Sequence, residues 1–175
     1  MTPRTLVLGL GNILLRDEGL GVRVAESLGR RFAFPPEVTV LDGGTLGLDL
    51  LPRLDGIERL LVVDAVKFGR APGEIVRLEG DEVPAALDVK ISPHQVGVQD
   101  LLAGARLLGS EPAHVVLWGM EPERLDPGTG FSASVSEALP RLEASVLDEL
   151  DRWGVAGTPV EGAAPLPVWW TEPGR

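Results

Sequence analysis

The chain has 175 residues, 44% hydrophobic and 24% charged, which suits one domain with one buried core and excludes a disordered polymer. Its formal net charge of −10 argues against nucleic acid, whose binding rests on phosphate neutralisation. The absence of cysteine excludes disulfides, a thiolate metal site and a cysteine nucleophile, and no apolar run approaches the roughly 20 residues that span a bilayer. The stretch from Met1 to Arg4 lacks a signal peptide's layout, so a cytoplasmic location is expected.

Five apolar, β-branched runs read as strands: Thr5–Leu10, Val38–Leu41, Leu60–Val66, Glu74–Leu78 and His114–Trp118. Segments with helical spacing lie between them. After the first strand come Val22, Val24, Ala25 and Leu28; Leu46–Leu54 forms a short helix interrupted near Pro52. Val96–Leu108 ends at Gly109, and Ser132–Trp153 carries Leu142, Val146 and Leu150, with Pro140 starting its main helix or kinking it. This alternation predicts an α/β fold, a three-layer αβα sandwich around a mostly parallel sheet. The seven residues Lys67 to Gly73 are too few for a parallel crossover, so the fourth strand is expected to run antiparallel beside the third. The domain is expected over residues 1–155, with a Pro/Gly-rich tail over 156–175 whose Trp169–Trp170 pair offers a surface contact.

Ligands of parallel α/β sheets gather outside the carboxyl ends of the strands. There the chain sends Glu18 from the loop after strand one, Asp42 from the end of strand two and Asp64 from the end of strand three. His94 follows at the start of the third main helix. Each has a plainer reading. Glu18 serves equally as a solvated loop acid, Asp17 as the N-cap of the first helix, and Asp42 as an acceptor for its own Gly-Gly turn. Asp64 resists dismissal, because it ends the apolar run Leu60–Val63 and a carboxylate there is costly unless bonded, paired or metal-bound. A helix N-terminus keeps the His94 imidazole neutral, as a ligand requires. Two carboxylates and a histidine suit a divalent first-row metal. A dinucleotide site is disfavoured, since the third glycine of its fingerprint falls on Leu14, and no Gly-x-Ser-x-Gly elbow accompanies Ser92. An aspartic dyad of Asp42 and Asp64 is a minor alternative.

The stretches Val7–Val22 (VLGLGNILLRDEGLGV), Leu41–Gly47 (LDGGTLG), Val63-Asp64-Ala65 and Lys90–Gln95 (KISPHQ) together resemble the hydrogenase maturation endopeptidase family, from Leu6 to about Val155. The resemblance implies a mixed five-stranded sheet between helices with one antiparallel strand. It implies an endopeptidase that removes a short C-terminal extension from the precursor of a nickel–iron hydrogenase large subunit, cutting after a basic residue beyond the last nickel-ligating cysteine motif. Matched by position, Glu18, Asp64 and His94 contact the metal, Asp42 is tied to activity as a candidate general base, and Asp64 joins it as a catalytic candidate. Nickel is expected to arrive in the substrate. A non-catalytic metal-sensing chaperone with the same ligands, and a nucleotide-dependent oxidoreductase, are the other classes left open.

Overall fold

Leu6, Val7, Leu8 and Leu10 are all buried, so the first strand has no solvent face and belongs inside a sheet covered on both sides. A computed structural model describes residues 2–86 and 93–163, with the backbone alone at 85–86 and 93–97. In chain order the elements are β1 (Thr5–Leu10), α1 (Leu20–Arg31), β2 (Phe32–Ala33), β3 (Val38–Gly44), β4 (Arg59–Ala65) and β5 (Ile75–Glu79). There follow α2 (Glu82–Ala86), α3 (Pro93–Leu108), β6 (His114–Met120), α4 (Ala133–Arg152) and β7 (Thr158–Pro159). The main sheet has the order β3-β1-β4-β6-β5. Its first four members are parallel and β5 alone is antiparallel.

The antiparallel strand lies beside β6, not beside β4 as expected. The free flank of β4 is taken by β6, which returns in parallel through α3. Lys67 to Gly73 therefore step across two strand spacings, roughly 10 Å, which seven residues reach easily.

Alternation sorts the strand residues onto two cores. Leu8, Leu10, Leu60, Val62 and Leu117 face α3 and the 3-10 helix Gly47–Leu54. Val7, Leu61, Val63, Ala65 and Val116 face α1 and α4. The segment Gly47–Leu54 is 3-10 rather than α, consistent with Pro52 inside it supplying no N–H. Pro140 sits inside α4, which starts earlier, where the Ser132 hydroxyl caps the Val135 N–H at 3.4 Å.

Two glycines set the depth of α1. A Cβ on Gly9 would lie 2.1 Å from the Gly21 carbonyl oxygen, and one on Gly21 would lie 2.0 Å from that of Val63. The helix backbone thus rests directly on β1 and β4, and the turn that precedes it is carried over the carboxyl rim of the sheet. At the other end the body extends past residue 155: β7 pairs antiparallel with β2, and the Val160 N–H reaches the Arg31 carbonyl at 2.9 Å. The tail thus begins later than expected, and Trp169–Trp170 lie outside the described residues. Among the described residues no helix is long and apolar enough to cross a membrane.

Candidate active site

The loop after β1 tightens into a 3-10 turn, Arg16–Gly19, all of whose residues are buried. Arg16 enters it with φ of 50°, a left-handed conformation costing a side chain roughly 1 kcal/mol. Its N–H donates to the Gly128 carbonyl at 2.9 Å, the Gly128 N–H donates to the Leu14 carbonyl at 2.8 Å, and its Nε donates to Asp126 at 2.9 Å. Gly128 takes φ of 156°, which a side chain rarely adopts, and a Cβ there would also press on the Arg16 guanidinium. Glu18 is next but one along this turn and is only 1% exposed. Its carbonyl sits over Gly11, where a Cβ would overlap it, and the turn packs against β4.

Asp17 has a place other than the expected helix cap. The N-cap of α1 is Gly19, with no side-chain bond. The Asp17 carboxylate is fully buried and accepts from Glu123 N–H (2.9 Å), Arg124 N–H (2.8 Å), the Ser132 hydroxyl (2.8 Å) and Ser132 N–H (2.7 Å). The Asp17 N–H donates to the Arg124 carbonyl at 3.1 Å. Ser132 was legible as the start of a helical segment, but its bond to Asp17, 115 residues away, had no local signal.

Asp64 ends the central strand, is 0% exposed, and accepts from the Ala65 N–H at 2.8 Å on Oδ1. In register it continues the face of Val62, toward α3. Beyond it, the buried Glu121 carboxylate holds the next loop by accepting from Phe68 N–H (2.6 Å) and Arg70 N–H (3.3 Å). Nothing in the sequence marked Glu121 for that task.

The structure corrects the adjacency on which an Asp42–Asp64 dyad depended. β1 separates β3 from β4, which puts the two residues two strand spacings apart, roughly 10 Å. Asp42 is in register with Gly9 and so faces α1, whereas Asp64 faces α3. The Asp42 carboxylate is exposed and accepts from its own turn at Gly44 N–H, 2.9 Å. Partial burial raises its pKa; the Gly44 N–H opposes that, and the charge of Glu26 on α1 adds to it. The geometry therefore does not place Asp42 as a base beside Asp64.

His94 lies in the first turn of α3, behind Pro93. Because α3 leads into the parallel strand β6, that turn is at the carboxyl rim. The His94 side chain is outside what is described, and among the described residues no three candidate ligands converge. His114 opens β6 at the opposite end and is exposed. The rim thus gathers two buried carboxylates on abutting elements, Glu18 and Asp64, and the first turn of a helix. Such a donor set takes a cation in preference to an anion.

Residues 22–149 match the family described as HycI, hydrogenase maturation protease. The chain is 42% identical over 159 residues to the hydrogenase 2 maturation protease of Escherichia coli (strain K12), covering 90% of this chain and 97% of that one. It is 44% identical over 157 residues to the hydrogenase expression/formation protein HupD of Rhodobacter capsulatus, covering 89% and 75%. Among solved structures, the E. coli hydrogenase maturating endopeptidase HybD superposes with a TM-score of 0.85 at 42% identity over 89% of this chain and 97% of that one. The [NiFe] hydrogenase maturation protease HybD of Thermococcus kodakarensis superposes with a TM-score of 0.70 at 28% identity, covering 84% and 98%.

Proposed function

The chain belongs to the hydrogenase maturation protease family, and from that premise we propose that it removes the C-terminal extension of a nickel–iron hydrogenase large-subunit precursor once nickel is seated there. It is an endopeptidase, and its substrate is a hydrogenase large-subunit precursor. The observation that carries the finer reading is the pair of buried carboxylates, Glu18 and Asp64, on abutting elements of one rim. Buried like charges repel, and a divalent cation between them relieves the cost. Nickel belongs to the substrate in this reading, and Glu18, Asp64 and His94 complete its ligand set. When bound, the ion polarises the scissile carbonyl or lowers the pKa of an attacking water.

The chain's own residues supply position. The Ala65 N–H holds one oxygen of Asp64 and fixes the carboxylate's direction. His94 is carried by the first turn of α3, at the same carboxyl rim. Burial of Glu18 excludes water from its carboxylate and strengthens its attraction for a cation. Asp42 shapes the Gly43–Gly44 turn at the edge of the site. The cysteine-free sequence needs no oxidising compartment, and we assign the reaction to the cytoplasm.

Two carboxylates and one imidazole without thiolate make a site of moderate affinity, which fills when a partner brings the ion with its other ligands. Cleavage then reports correct loading. The experiment gives chelator-treated enzyme either nickel-loaded or nickel-free precursor, with no metal added, and follows the product by mass spectrometry. Cleavage of the loaded form alone is expected. Equal cleavage of both, or none until zinc is returned to the enzyme, would identify an ordinary metallopeptidase, and binding without cleavage would identify a chaperone.

A further inference from the structure

We propose that Asp17 is a positioning residue for the cleavage reaction: by tying the Arg16–Gly19 turn to the 121–132 loop it sets the direction of the Glu18 carboxylate, without touching metal or substrate itself. The proposal rests on the reading of Glu18 given above. Its basis is how completely Asp17 is used. One oxygen accepts from Glu123 N–H, Arg124 N–H and the Ser132 hydroxyl, the other from Ser132 N–H, all between 2.7 and 2.9 Å. A fully buried carboxylate with four donors has little capacity left for an ion or a substrate.

Asp17 and Glu18 are consecutive in a turn of four residues, so fixing one fixes the backbone of the other. The clamp is two-sided. Gly11 leaves room for the Glu18 carbonyl on one side, and the loop grips Asp17 on the other through its N–H and both its carboxylate oxygens. Ser132 joins the clamp to the N-terminus of α4, so the turn is anchored to a twenty-residue helix and not to a loose loop. Three of the four donors are backbone N–H groups that cannot reverse. An amide in place of the carboxylate sets an N–H against a backbone N–H in either flip, which makes Asp17→Asn a change in hydrogen bonding at nearly constant size.

The test compares Asp17→Asn with Leu142→Ala, a core variant in α4, in the full-length protein at a temperature where both are folded by circular dichroism. Two quantities are read: kcat and KM on nickel-loaded precursor, and the NMR cross-peak of the Glu18 γ-methylene in the enzyme alone. Asp17→Asn should lower kcat about 30-fold or more with KM within about twofold, a loss in the range of misplaced catalytic groups. Its Glu18 cross-peak should move toward the averaged position of an unrestrained glutamate, while Leu142→Ala keeps both readouts near wild type. If Asp17→Asn matches Leu142→Ala in kcat and cross-peak, Asp17 is structural and the proposal is overturned. Should Asp17→Asn fail to fold, Ser132→Ala reads the same quantities, with a smaller kcat loss and a shifted cross-peak expected and wild-type values for both overturning the idea. Wild-type enzyme that cuts no precursor would defeat the assigned function, and the cross-peak alone would then decide the positioning role.

Discussion

Glu149 and Asp17 are both buried acids, at 2% and 0% exposure, and the protein neutralises them in opposite ways. Glu149, on α4, takes a bidentate pair from Arg77 at 2.8 and 2.9 Å and a further bond from Arg152 at 2.9 Å. Arg77 also meets Glu79, so two arginines face two glutamates and the charge cancels within the cluster. Asp17 is held by backbone N–H groups and one hydroxyl, which solvate its charge without cancelling it. Its neighbour Arg16 directs its Nε to Asp126. The Asp17 charge is thus solvated in place, one residue from Glu18. Cancelled charge serves stability; under the proposed function, charge solvated in place suits a rim that receives a cation.

Removing the retained charge should have the largest effect. Glu18→Gln and Asp64→Asn are each expected to cut precursor processing about 100-fold or more, with melting temperature within a few degrees of wild type. Timed cleavage assays beside calorimetric scans check both, and full activity in either variant would end the contrast between the clusters.

Breaking the cancelled cluster should do the reverse. Glu149→Gln is expected to cost about 2 kcal/mol of stability, because it takes the bidentate partner from a partly buried Arg77 and leaves it Glu79, while kcat stays near wild type. The Arg77 hydrogen bonds hold the Glu149 pKa below the ordinary carboxylate value, against the effect of burial, and Arg152 helps. Since the folded pKa is lowered, this contribution is present above the ordinary carboxylate range, about pH 4 to 5, and is lost as pH falls through the folded value. Urea titrations of both proteins from pH 7 down to pH 3 should show the gap between them closing, and a constant gap would contradict the assignment.

The smallest effect sharpens the edge of the comparison. Asp42 carries a raised pKa, first from partial burial and then from Glu26. A raised acid binds its proton more tightly in the folded state, so its effect on stability turns unfavourable as pH rises through the folded value. Asp42→Asn keeps an acceptor for Gly44 N–H and should be neutral or stabilising by about 0.5 kcal/mol at pH 7. A clear loss of stability there would mean that the ionised form has a partner beyond its own turn.

Strand and helix content were largely legible, because β1 and β4 are apolar on both faces and α1 and α4 repeat their apolar residues at helical spacing. Glu18 and Asp64 were legible as rim acids, because strand ends are readable from the pattern. The partner of β5 was not: a seven-residue connection fixes its direction but leaves open which strand it reaches. Asp42 was placed beside Asp64 because the pattern does not reveal that β1 is inserted between their strands. The roles of Asp17 and Glu121 were hidden for another reason. Their donors are mostly backbone N–H groups, which every residue but proline carries, so residue type gives no hint of them.

The bonds of Asp17 span 106 to 115 residues of sequence. Loops of that length close late, after local helices and neighbouring strands have formed. A nascent chain that has not yet extended past Ser132 has its β1 loop and Glu18 but lacks the Ser132 donors that grip Asp17. If Asp17 positions Glu18 as proposed, cleavage competence is expected only once Ser132 and the start of α4 have joined the fold.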